Sequence, residues 1–212
     1  SIMSYLFANC EKLESIDISN FETDSVENMD SMFIYCKSLE SIDLSNFKTE
    51  NVQTMSSMFR GCTKLTSIDI SGFKTDNVES MADLFNGCEN LNDLNLGKLN
   101  TQSVLDMTSM FQGLPINSLD LSNFDTRNVI IMSGMFKSCK NLVSLDLKSF
   151  DTGEVYFMQS MFEGCSSLTS VNLDNFDTSK VTSMSNMFNG CSSLKSLNLN
   201  SFDSNVVKKM NY

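Results

Sequence analysis

Seven cysteines stand at 10, 36, 62, 88, 139, 165 and 191, in steps of 26, 26, 26, 51, 26 and 26 residues. A thiol in such a file can form a disulfide, bind a metal, or do neither. Neighbours in a stacked file lie about 5 Å apart, one strand spacing, which does not exclude a bridge. Their Cβ vectors run parallel, however, and seven is an odd number. A tetrahedral metal site finds no C-x-x-C and no converging ligands. The 51-residue step is one period of 26 plus one of 25, and the skipped place holds Leu114, beside Pro115. Leucine cannot stand in for a thiol that reacts, but it can stand in for one that fills space. The cysteines are therefore read as reduced core residues, packing as small hydrophobes. Met29, Met32 and Cys36 could suggest a soft copper site, but their spacing puts them on one inward stripe.

A second file runs Asp17, Asp43, Asp69, Asn95, Asp120, Asp146, Asn172, Asn198. Carboxylates one strand spacing apart repel. Asp17, Asp43, Asp69, Asp120 and Asp146 read in one of two ways. They form a cation ladder or a strip for a basic partner, or they bond local backbone and serine groups. Asn at three of the eight places favours the second reading, since Asn keeps the hydrogen bonds and drops the charge. Glu14 and Glu40, flanking Asp17 and Asp43, make the N-terminal end the best place for the first. A third file is Thr23, Thr49, Thr75, Thr101, Thr126, Thr152 and Thr178. Ice binding would want a flat array of paired threonines, whereas one per period, just ahead of a helical pattern, reads as a helix cap. With no His and no G-x-S-x-G, no acid, base, nucleophile and oxyanion set converges. The expectation is a non-enzymatic chain without a cofactor.

The elements that position these files follow from the same period. Phenylalanine recurs at 7, 33, 59, 85, 111, 136, 162 and 188, and methionine from Met3 through Met29 and Met55 to Met210. In "LESIDLS" (39–45) apolar and polar residues alternate, which is a half-buried strand with Leu39, Ile42 and Leu44 inward. In "VQTMSSMFRGC" (52–62) Val52, Met55, Met58, Phe59 and Cys62 recur at spacings of three and four, one helical stripe, with Gly61 where a helix would end. The predicted fold is an α/β solenoid of about eight 26-residue units, each a short parallel strand plus a short helix. Residues 1–212 form one solenoid domain, and both ends fall inside a repeat, as expected of an excised module. A net charge of −11 argues against nucleic acid and anionic membranes as partners. No stretch approaches the roughly 20 apolar residues of a membrane span.

The stretch "MSSMFRGCTKLTSIDISGFKTDNV" (55–78) resembles the repeat of BspA-like leucine-rich-repeat surface proteins, common in mycoplasma-type lipoproteins. The pattern M-x-x-M-F-x-G-C-x-x-L-x-x-L-D-L-S-x-F-x-T covers essentially the whole chain. It departs from plant-type leucine-rich repeats at the Phe21 column, where those carry Asn. The resemblance implies a leucine-rich-repeat fold, a cell-surface or extracellular location, and adhesion or host binding. It carries over no catalytic residues.

One irregularity points to a partner. Between the Val and Met columns most units carry polar pairs, such as Glu27–Asn28, Gln53–Thr54, Glu79–Ser80 and Thr182–Ser183. Three consecutive units read Leu105–Asp106, Ile130–Ile131 and Tyr156–Phe157. On a helix the first of each pair points away from the core, so Leu105, Ile130 and Tyr156 should lie side by side outside, with Ile131 and Phe157 on a flank. Single exposed apolar residues are ordinary on an outer surface, and Ile131 and Phe157 can pack between adjacent units; three clustered ones read instead as an interface. The expected function is a binding module for a protein or glycan on a host or neighbouring cell, with the patch docking a partner, another copy or a neighbouring domain. The alternative is a stiff stalk, eight units of about 5 Å making a rod of about 40 Å that displays another domain.

Overall fold

The computed structural model describes residues 1–203; Met210 and Tyr212 lie outside them. Each period forms one coil of a solenoid, stacked on the next. On one side, β1 (Ser67–Asp69) pairs with β2 (Asp93–Asn95) in parallel, Ser67 opposite Asp93 and Ile68 opposite Leu94. Farther along, β3 (Ser144–Asp146) pairs in the same way with β4 (Ser170–Asn172). Ile68 and Leu145 point into the core, as the alternation requires. The two sheets are separated by the 25-residue unit. Regular strand is thus confined, among the described residues, to four coils rather than present in each.

The unbroken ladder runs through the other side. Parallel bridges link Ile2, Asn28, Thr54, Ser80, Asp106, Ile131, Phe157 and Ser183, each to the next. This is the segment read as a helix, and among the described residues there is no helix. The hydrogen bonds explain why. Met29, Ser31, Phe33 and Tyr35 donate their N–H groups to Thr54, Ser56, Met58 and Arg60 of the next coil, while Met32, Ile34 and Cys36 donate three residues back. Ser31 and Tyr35 have φ of 57°, as does Ser57, and Gly61 has φ of 71°. A left-handed residue every fourth position forbids an α-helix. Tight turns linked across coils bring every third or fourth residue inward all the same, so the apolar spacing imitates a helical stripe.

The threonines cap no helix. Thr49 is buried, accepts the N–H of Lys74 at 2.7 Å through Oγ1 and donates the same hydroxyl to the Lys74 carbonyl at 3.0 Å. Thr101, Thr126 and Thr152 clamp Asp125, Asp151 and Asp177 in the same manner. Each clamp satisfies both backbone groups of one residue in the next coil, where either left unpaired would be costly.

The core is continuous along the axis. The Val, Met, Met-Phe and Cys files fill it, and Leu114 is as buried as the cysteines flanking it. Phe7, Phe33, Phe59, Phe85, Phe111, Phe136, Phe162 and Phe188 stack ring on ring, with centroids 5.3 to 6.3 Å apart. Burying one such ring contributes about 1.5–3 kcal/mol, and the files repeat that contribution in each coil.

Candidate functional site

The outward line beside the unbroken ladder is built by alternation. In the six coils from Val26 to Val155 the Val is buried, the next residue faces out, the one after makes the bridge, and the Met is buried again. Backbone bonds hold the outward residues in register: Gln53 N–H to Glu27 O, Glu79 to Gln53, Leu105 to Glu79, Ile130 to Leu105, Tyr156 to Ile130 and Thr182 to Tyr156, all at 2.8 to 2.9 Å. Leu105, Ile130 and Tyr156 therefore stand side by side on consecutive coils, 39%, 37% and 39% exposed. The placement expected from a helix is reproduced by the bridged ladder, since both turn the residue after Val away from the core. Phe157 is also 39% exposed and joins the patch, whereas Ile131 is half-buried.

The same line changes character along its length. Glu27, Gln53 and Glu79 precede the apolar residues, and Glu50 and Asp76 are exposed beside them. Sequence reasoning did not single out this acidic stretch, because its members belong to two different files. Beneath it the flank is polar: Asp30 accepts from the Thr54 hydroxyl and the Ser56 N–H, and the Ser56 and Ser80 hydroxyls lie 2.7 Å apart. Ile131 and Phe157 take the places of Thr54 and Ser80 in the later coils, where Ser133 still donates to Gln159 at 2.6 Å.

On the opposite side, each aspartate of the strand file is tied into its own turn. Asp17, Asp43, Asp69, Asp120 and Asp146 accept the N–H two residues on, at 2.8 to 3.1 Å, and Asn95, Asn172 and Asn198 do the same. The hydroxyls and N–H groups of Ser19, Ser45 and Ser71 hold the carboxyls of Asp17, Asp43 and Asp69 below their ordinary value. For Asp120 the Ser122 N–H does so first and its hydroxyl second.

All seven thiols are free. Five are buried, and their Sγ–H groups point at the carbonyl of a phenylalanine in the preceding coil, as from Cys88 to Phe59 at 3.0 Å. Burial pushes the Cys36 thiol up to about 11 and those of Cys88 and Cys139 to about 12, so they stay protonated and unreactive. The expectation that the whole file is buried fails at its two outermost members. Cys10 is exposed and Cys191 half-buried, because each lies in an outermost complete coil of the described stack. At the irregular unit, the shortened corner at Leu114–Pro115 leaves a cavity of about 580 Å³ between Glu89 on one side and Lys140 and Asn141 on the other. It is open and mostly polar, and Asn141 already donates to the Pro115 carbonyl.

The family model of mycoplasma proteins of unknown function, DUF285, matches residues 1–118 and 113–212. Among solved structures, a Treponema pallidum leucine-rich-repeat protein is similar at 20% identity and a TM-score of 0.42, over 92% of this chain and 71% of that one. A leucine-rich cell-surface protein of Faecalibacterium prausnitzii is 18% identical, with a TM-score of 0.37 over 91% of this chain and 61% of the other. A leucine-rich-repeat protein of Bacteroides ovatus is 20% identical, with a TM-score of 0.39 over 99% and 69%. No curated protein matches the sequence. None of the matches indicates a catalytic family.

Proposed function

We propose, for a chain that belongs to the mycoplasma DUF285 family of BspA-like repeats, that it is a non-enzymatic binding module of a cell-surface protein, engaging a protein partner through its outer ladder face. The observation that carries this reading is the patch of Leu105, Ile130, Tyr156 and Phe157, exposed and contiguous on three consecutive coils. The backbone ladder holds these side chains in one line, which spares a partner the cost of ordering them. A spacer would have no use for such a line, since the units before it keep polar residues at the same places over the same core. The inert buried thiols suit an oxidising surface, because they offer no thiolate to bridge.

The test is a protein and glycan array probed with the chain and with the Leu105→Ser/Ile130→Ser/Tyr156→Ser variant. The expected result is binding to protein spots that drops at least ten-fold in the variant, at an unchanged melting temperature. Equal binding by both chains would refute a role for the patch, and loss of folding in the variant would assign these side chains to the core.

A further inference from the structure

We infer that the occupant of the outer ladder face is a cationic, amphipathic protein segment, with aliphatic or aromatic side chains at one end and Lys or Arg at the other. The inference rests on the binding role proposed above and names the chemistry of the partner. Its basis is that the patch and the acidic stretch are one continuous line. Glu27, Gln53, Glu79, Leu105, Ile130 and Tyr156 occupy the same place in six successive coils, joined by backbone bonds of 2.8 to 2.9 Å. At one strand spacing per coil, the line is about 24 Å long. That is the length of roughly 16 helical residues, or seven extended ones. Glu50 and Asp76 lie exposed beside its acidic half. No described lysine or arginine forms an ion pair with Glu50, Asp76 or Glu79: Lys48 is held by Asp24 at 2.9 Å and reaches Glu50 only through its field, Asp76 accepts from the Asn100 amide at 2.8 Å, Glu27 meets the N-terminal amine at 3.6 Å, and Lys180 is held by Glu154 at 2.6 Å. The acidic half thus keeps carboxylates without a lysine or arginine ion pair, whereas the charges beside the apolar half, Arg127 and Lys180, are held by Asp125 and Glu154.

A partner that placed only apolar side chains on the patch would overhang these carboxylates with nothing to meet them. One whose apolar end is followed by cations satisfies both halves, and is also steered in by the field of a chain of net charge −11. A second copy of this chain brings the same net charge and is repelled at long range. Nucleic acid is disfavoured for the same reason.

The probes are four synthetic 16-residue peptides, titrated against the 212-residue chain by fluorescence anisotropy at 50 and 300 mM salt. One carries a Leu-rich half followed by a Lys-rich half. The second has Glu in place of Lys, the third has Lys and Leu evenly mixed, and the fourth has the Lys half alone. The block Leu–Lys peptide is expected to bind at least ten-fold more tightly than the Glu version and several-fold more tightly than the mixed one, and to weaken at high salt. Glu50→Gln/Asp76→Asn/Glu79→Gln should weaken it at least five-fold, and so should the triple serine variant. If array binding is lost in the serine variant but the glutamine–asparagine variant binds as the parent does, the patch docks a partner and the cationic inference falls. If the Lys half alone binds as tightly as the block peptide, the contact is generic charge attraction, and the inference falls as well. Concentration-dependent self-association that the serine variant abolishes would identify the occupant as a second copy and overturn the proposal. If neither variant changes any binding, both readings fail.

Discussion

The coils carrying Glu27, Gln53 and Glu79 and those carrying Leu105, Ile130 and Tyr156 differ in almost nothing that the core can feel. Both groups bury Val, Met and Phe at the same places, with Leu84 standing for the second Met in the Glu79 coil, close the same ladder and clamp the next coil with the same threonine. Apart from Leu114 in a Cys place and the 25-residue spacing beside it, they differ at one outward position and its neighbour. In a solenoid whose coils are interchangeable inside, an outward position is free to change without disturbing the fold, so three consecutive apolar choices there read as a feature of the surface. The core is common to both regions, and the partner would see only the difference.

The strongest way to break this comparison is to show that the two regions are not equally built. Phe59→Ala in the acidic region and Phe136→Ala in the apolar one each remove a fully buried ring from the same stack. Each should cost about 3–5 kcal/mol in urea unfolding. A difference of more than about 2 kcal/mol between them would mean that the cores are unequal and that the surface contrast has a structural origin.

Alkaline pH offers a smaller and sharper test. The Cys88 and Cys139 thiols, one in each region, have folded values raised by burial to about 12, above the ordinary 9.0. Their contribution to stability is fully present below about pH 9 and is lost as the pH rises toward 12, because unfolded thiols then release protons that folded ones retain. At pH 10 each thiol should cost the fold about 1.4 kcal/mol. The Cys88→Ala/Cys139→Ala variant should therefore lose less stability than the parent between pH 7 and pH 10, and each single variant should account for about half of the difference. Equal losses in parent and double variant would show that these thiols are not desolvated.

The smallest effect is expected on the opposite side. Asp43→Asn and Asp69→Asn keep the acceptor for Ser45 and Ser71 and should change stability by less than about 0.5 kcal/mol each. Melting temperature with and without millimolar calcium should be the same for parent and variants. A calcium-dependent rise that disappears in the double variant would restore the cation ladder as a reading of the file.

The solenoid was legible in the sequence because its core files recur at 26 residues and tolerate one interruption, at Leu114. The outward placement of Leu105, Ile130 and Tyr156 was legible too, since the helical stripe and the bridged ladder both turn the residue after Val out. The hydrogen bonding was not. Val52, Met55, Met58 and Phe59 have helical spacing, yet their coil bonds to residues about 25 positions away, such as Met55 N–H to Ser80 O at 3.2 Å. A spacing rule sees which residues point inward and is blind to where the N–H groups go. The threonines show the same limit. Their position ahead of the turn suited a cap, but the residue they clamp lies one full coil away. The acidic half of the outer line escaped notice because Glu79 and Asp76 become neighbours of Glu50 only once the coils stack.

The ladder bonds between coils also fix how the protein would answer a pull. They lie along the stacking axis, so tension applied at the two ends is borne in series by every coil boundary and opens the weakest first. Each boundary that opens frees a 26-residue coil, whose stretched length is about 90 Å against about 5 Å when stacked. Under load the chain would lengthen by whole coils, as a sawtooth of small, equal rupture steps, and a partner held on the outer face would be cushioned against sudden force until the coils beneath it unwound.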